Sequence, residues 1–225
     1  MKSLRISVVF LFLTIVFGLS TANAQSKEEE KIEASTKVLN DFINMKESIP
    51  HDLLKVTEGI IVVPKLINAG FVVGGKRGKG IAMVKLEDGR WSDPVFVTIT
   101  GGSVGFQAGI QSVDLVLIFK DRSTLQNIGK GSFTLGGDIS VAAGPVGRSS
   151  SASTDTKLEA EVYSYSRSKG LFAGISLGGS AIDVDTKANQ EFYGDDEDAE
   201  EIFSKTDSDS ASVNQLKAVL NGIDK

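Results

Sequence analysis

The sequence predicts an α+β domain: a strongly curved, Gly-rich antiparallel β-sheet, barrel- or sandwich-like, with an N-terminal helix and C-terminal helices. Three observations lead there. From Gly59 to Asp185, short apolar runs are separated by Gly, Asp and Ser clusters; examples are Ile60-Ile61-Val62-Val63, Phe71-Val72-Val73, Ile81-Ala82-Met83-Val84, Val95 to Ile99 and Leu115 to Phe119. No long helical stretch intervenes, so the strands should pair antiparallel and not through crossover helices. Glycine is abundant, 24 of 225 residues, and Gly105, Gly109, Gly136, Gly137, Gly174, Gly178 and Gly179 fall inside or at the ends of the runs. Glycine weakens a strand, so its presence there asks for bulges, coiling or close backbone approach.

Residues 1–24 stand apart from this pattern. Lys2 and Arg5 precede an apolar run from Ile6 to Leu19, and Ala22-Asn23-Ala24 is an A-x-A cleavage site ahead of Gln25. They are expected to be a cleaved signal peptide, with the mature protein exported, periplasmic or secreted, and peripheral at the membrane. No cysteine follows the run to carry a lipid anchor. Residues 25–194 are expected to form the domain, and 195–225 an acidic linker and C-terminal amphipathic helix.

Lys27 to Lys46 contains neither Pro nor Gly and places Ile32, Leu39, Phe42, Ile43 and Met45 mostly on one side of a helix. That face either packs on the domain or, through Leu39, Phe42 and Ile43, touches a membrane surface. Pro50 ends this helix or opens a short one carrying Leu53, Leu54 and Val56. Among the strands, Asp88-Gly89 signals a hairpin turn, Asp121 to Gly129 reads as a helical interruption, and Leu158 to Tyr163 alternates as a half-exposed strand does. Beyond the acidic run, Val213, Leu216, Val219, Leu220 and Ile223 mark a helix that docks on the domain or a partner.

Composition removes several function classes. With no cysteine and one histidine, His51, there are no disulfides, thiolate metal sites, cysteine nucleophiles or multi-histidine zinc sites. Gln25 to Ile182 carries 18 basic and 17 acidic residues, whereas Asp183 to Lys225 carries 4 and 12. The folded part has no basic excess, which sets nucleic acid aside. Asp195 to Asp198 with Glu200 and Glu201 lacks the glycine and spacing of a calcium loop and reads as a solvated face. No metal or cofactor is expected.

One segment invites an anion. Gly74-Gly75-Lys76-Arg77-Gly78-Lys79-Gly80 places three cations among four glycines between two apolar runs. Backbone N–H groups of a glycine loop, together with Lys76, Arg77 and Lys79, could hold a phosphate; the other reading is a soluble cationic hairpin. It is not a Walker A loop, since Lys79 is followed by Gly80 and not by Ser or Thr.

The chain resembles the SYLF-domain family. Four stretches carry the resemblance: Ile49-Pro50 with Leu53-Leu54, Gly59-Ile60 and Val63-Pro64-Lys65; Gly105-Phe106-Gln107-Ala108-Gly109 with Gln111 and Asp114; Leu135-Gly136-Gly137-Asp138 through Ser140 to Arg148; and Tyr163 to Ser166, Gly170 to Gly174, Ser176-Leu177, Ala188-Asn189 and Phe192-Tyr193-Gly194. They run in the family's order from about Lys27 to Gly194. Gly178 departs from the pattern, where many relatives carry Glu. The resemblance implies lipid binding without chemistry, to phosphoinositide-type headgroups in eukaryotic members, and actin binding in the fungal ones. An exported protein meets no actin, so the expectation is an anionic lipid or membrane surface. Two other classes stay open: a hydrolase using carboxylates, for which Asp114 and Asp138 are the candidates, and a structural, self-assembling envelope protein.

Overall fold

The apolar runs do not remain short strands. In the computed structural model, which describes residues 26–45, 49–144, 160–169, 171–172 and 175–223, they join into β1 (Gly59–Val84) and β2 (Val95–Phe119). The two are antiparallel from Gly59↔Phe119 to Ala82↔Val95, with register shifts at Val63/Leu66 and Gly70/Val72. Residues 1–24, expected to be a signal peptide, lie outside the described residues, as do Pro145 to Arg148 of the third matching stretch.

At the second shift the ribbon bends and the two arms of β1 return side by side. Lys85 N–H donates to the Glu58 carbonyl at 2.8 Å, closing the arms at their far end. Midway, Gly80 approaches Val62 so closely that a Cβ would stand 2.1 Å from the Val62 carbonyl oxygen. Only a residue without a side chain permits that approach. The first shift surrounds Pro64 and Lys65. Proline has no N–H to lose, Lys65 adopts φ 55°, and its N–H is taken up by Asp114 Oδ1 at 3.1 Å.

The remaining strands extend the sheet from both arms of β2. Val97–Gly101 pairs with β7 (Ser180–Val184), which pairs with β3 (Phe133–Leu135). Asp114–Phe119 pairs with β5 (Val162–Ser168), flanked by β6 (Leu171–Phe172) and β4 (Val141–Ala143). All described strand-to-strand ladders are antiparallel except β4 with β5, and an isolated bridge between Leu135 and Ile139 is also parallel, so the sheet is mixed. Ala143 and Val162 lie 19 positions apart in the sequence, as the connection between a parallel pair requires.

Away from the bend, both faces of the sheet are buried. Inside the curve, Ile61, Val63, Leu115, Leu117, Phe119, Ile182 and Phe203 form one core. Outside it, Ile60, Val62, Ile81, Met83, Val116 and Ile118 form a second under the helices. Burial on both faces explains why the strands read as unbroken apolar runs.

Helix α1 (Lys27–Asn44) is started by Ser26, whose Oγ accepts from Glu29 N–H, with Glu28, Glu29 and Glu30 in the first turn where the helix dipole favours acid. It covers the outer core beside α2 (His51–Lys55). The interruption after β2 divides into α3 (Arg122–Gln126), capped by Asp121, and a 3₁₀ turn (Asn127–Lys130). Then come α4 (Thr186–Tyr193), α5 (Ala199–Ser204) and α6 (Ala211–Ile223). Ala199, Ile202 and Phe203 of α5 join the inner core, and Val213, Leu216 and Leu220 of α6 the outer one. Among the described residues no helix is long and apolar enough to cross a membrane.

Candidate anion-binding site

The segment Gly74–Gly80 is not a loop; it is part of β1 and paired with Thr98–Ser103 of β2. Strand alternation therefore divides its cations between two faces. Lys76, opposite Gly101, turns inward, is only 6% exposed and donates through Nζ to the Ser176 carbonyl. Burial lowers its pKa. Arg77 and Lys79 turn outward beside Ile81 and Met83.

There they meet cations that the sequence motif did not reveal. A groove of about 630 Å³ between α1 and the outer face of β1 is lined by Lys27, Lys31, Lys65, Arg77 and Lys79, with Glu28, Glu30 and Asp185 as its acids. Helical spacing puts Lys27, Lys31 and Ala34 on one face of α1. The bulge at Pro64–Lys65 aims Lys65 into the same space. Asp185 caps α4 and pairs with Lys79 at 2.6 Å; Lys31, Lys65 and Arg77 have no described carboxylate within ion-pair distance. The pKa of Lys31 is lowered, first by burial and then by repulsion from Lys79 and Lys65. Cations crowded in this way are relieved by an anion.

Leu39 and Phe42 are fully buried in the outer core, and Ile43 packs half-buried against it. Phe42 also lies under the Arg167 guanidinium, 5.4 Å from its ring centre. Arg167 Nη2 reaches Asp41 of α1 at 2.5 Å and Asp114 of β2 at 3.1 Å, fastening helix to sheet. Asp114 is thus occupied by Arg167 and by Lys65 N–H, while Asp138 accepts from Thr134 N–H in the turn after β3. Both carboxylates serve the backbone or an ion pair, and neither lines the cationic groove nor the acidic one described next.

On the other side of α4, Asp183, Asp195, Asp196, Glu197 and Asp198 border a groove of about 420 Å³. Asp198 caps α5 and Glu197 pairs with Lys205 at 2.5 Å, so part of this acidity holds local structure. No cluster suited to a metal ion occurs among the described residues.

The fold is thus a curved, mixed sheet with a core on either side and a cationic groove on its outer face. The comparisons give its family. The model of the Ysc84 family, described as Las17-binding protein actin regulator, matches residues 100–223, more than half of the chain. The chain belongs to this family, the SYLF domain proteins. It is 37% identical over 200 residues to LAS seventeen-binding protein 3 of Saccharomyces cerevisiae, covering 88% of this chain and 43% of that protein. It is 36% identical over 179 residues to SH3 domain-containing YSC84-like protein 1 of Xenopus laevis, covering 79% of this chain and 53% of that protein. The chain thus spans about half the length of these relatives.

Proposed function

We propose that this is an exported, non-enzymatic SYLF domain that binds an anionic lipid surface through phosphate-bearing headgroups. The observation that carries the reading is the groove under α1, where Lys31, Lys65 and Arg77 converge with no carboxylate at ion-pair distance among the described residues, although Glu28, Glu30 and Asp185 also line it. Arg offers a planar fork to phosphate and the lysines add point charges. Export rests on the basic end, apolar run and A-x-A site of residues 1–24. In that setting the family's actin regulation is left out, and no pelleting with actin filaments is expected.

Co-sedimentation of the chain from Gln25, which includes every residue of both cores, with neutral and anionic vesicles tests the reading. Binding should require anionic lipid and weaken with salt, because the Debye length is only ~8 Å at physiological ionic strength. A cation near such a surface contributes about 1 kcal/mol, so Lys31→Ser, Lys65→Ser and Arg77→Ser together should lower affinity on the order of a hundredfold. Lys76→Ser should leave binding unchanged, since its ammonium faces the interior. Undiminished binding by the triple variant would overturn the reading.

A further inference from the structure

We infer that the bent end of the β1–β2 ribbon enters the apolar layer of the bilayer while the cationic groove behind it holds headgroups. The inference rests on the lipid reading above and adds which part of the molecule penetrates. Residues 66–75 and 101–113, the two stretches that meet at the bend, contain no charged side chain. That is 23 consecutive or paired positions in a chain of which 24% is charged and whose net charge is −5. Leu66 and Val113 are buried there, but Ile67, Gly75, Gly102, Gly109, Ile110 and Ser112 are exposed, and an uncharged exposed stretch is not what keeps an acidic protein soluble.

The bend also carries exposed aliphatic side chains. Ile67 is 41% exposed and Ile110, two positions along the ladder and opposite Ala69, is 80% exposed. The β5–β6 turn reaches the same end, since Ser168 Oγ donates to the Ser112 carbonyl, and it presents Leu171 at 74% exposure. Three of the four exposed large apolar residues described thus gather at one end of the sheet. In water this arrangement is unfavourable; in the interfacial layer of a bilayer each side chain becomes buried.

The charge around the bend selects the occupant. Lys65 and Arg77 lie just behind it on the arms of β1, and Lys169 sits in the β5–β6 turn. A strand advances about 3.3 Å per residue, so Ile67 stands roughly 7 Å beyond Lys65. Aliphatic tips backed by a collar of lysine and arginine match acyl chains beneath anionic headgroups. The acidic groove is bordered by β7, the 3₁₀ turn and the residue segment from α4 to α5, and no residue of β1 or β2 lines it.

The absence of cysteine permits a direct test. Single variants Ile110→Cys, Leu171→Cys and, as control, Val56→Cys at the opposite end of β1 are labelled with an environment-sensitive fluorophore. They are then mixed with phosphatidylglycerol-containing vesicles. Labels at 110 and 171 should shift to the blue and be quenched by lipids brominated in the acyl chain; the label at 56 should do neither. Ile110→Asp and Ile67→Asp should each weaken vesicle binding about tenfold or more. Their circular dichroism and melting should stay those of the parent, because both sites are solvent-exposed. Full vesicle binding by both Asp variants, or equal responses at 56 and 110, overturns the inference while leaving the groove reading intact. If the groove variant Lys31→Ser/Lys65→Ser/Arg77→Ser also binds fully, both readings fall. A shift at 110 that follows protein concentration without vesicles, and vanishes when Ile67→Asp is added to the labelled chain, assigns the end to a second copy of the chain and overturns membrane entry.

Discussion

From Ile60 to Val63 every side chain of β1 is fully or almost fully buried, with alternate residues serving the inner and outer cores. A few positions further along the same strand, from Leu66 to Gly75, the charges stop, glycines appear and Ile67 stands in solvent. The two regions share a backbone and a partner strand but differ in what covers them. Over the first lie α1, α2 and α6; the described helices add no residue of the outer core at the second. A β ribbon can therefore present one composition, apolar and poor in charge, in two settings with different consequences. Where helices cover it, it is core. Where they do not, it is a surface for another apolar phase.

Uncovering the protected region should have the largest effect. Phe42 is fully buried between α1 and the sheet and stacked under Arg167. Phe42→Ala should destabilise the domain by about 3–5 kcal/mol, seen as a lower urea midpoint. If α1 left the sheet to meet a membrane through Leu39, Phe42 and Ile43, the same change would spare the fold and abolish vesicle binding instead. Closure of the two arms of β1 is the next weak point. Gly80→Ala would force a Cβ against the Val62 carbonyl, where the available gap is 2.1 Å. A loss of about 1–3 kcal/mol is expected, with the bend end left unchanged in its response to vesicles.

The sequence shows both regions unequally. Paired hydrophobic runs and glycines inside them were enough to read a curved sheet, and the spacing of Leu39 and Phe42 was enough to read a helix with one apolar face. What could not be read was that Phe71-Val72-Val73 and Ile81 to Val84 belong to one strand. The glycines and cations between them look like a loop, and only the contact of Gly80 with Val62, 18 positions apart, explains glycine there as a strand residue. The same error grouped Lys76 with Arg77 and Lys79, because a loop has no faces and a strand has two. Lys31 and Lys65 were missed for a different reason. They come from a helix and a bulge remote in sequence, and neither carries a motif; only the packing of α1 on β1 brings them together.

The smallest expected effect concerns protons in the groove. Burial, then Lys79 and Lys65, lower the Lys31 pKa below its ordinary 10.5, while an unfolded chain restores that ordinary value. Between the lowered and the ordinary value the unfolded state therefore holds more protons, so this residue makes the fold more stable as pH rises through that window. Below the window its charge is a small burden on the fold, under ~1 kcal/mol because the side chain is only half-buried. A bound phosphate reverses the balance: it favours charged Lys31 and draws a proton in. Vesicle affinity should therefore fall as pH rises through the lowered pKa, while thermal stability without vesicles changes the opposite way. Lys31→Met should flatten both trends, and its affinity at neutral pH should be lower by a few-fold, the loss of one interfacial cation. Parallel pH profiles for Lys31→Met and the parent would mean that Lys31 does not face the bound anion, leaving Lys65 and Arg77 as the groove's effective cations.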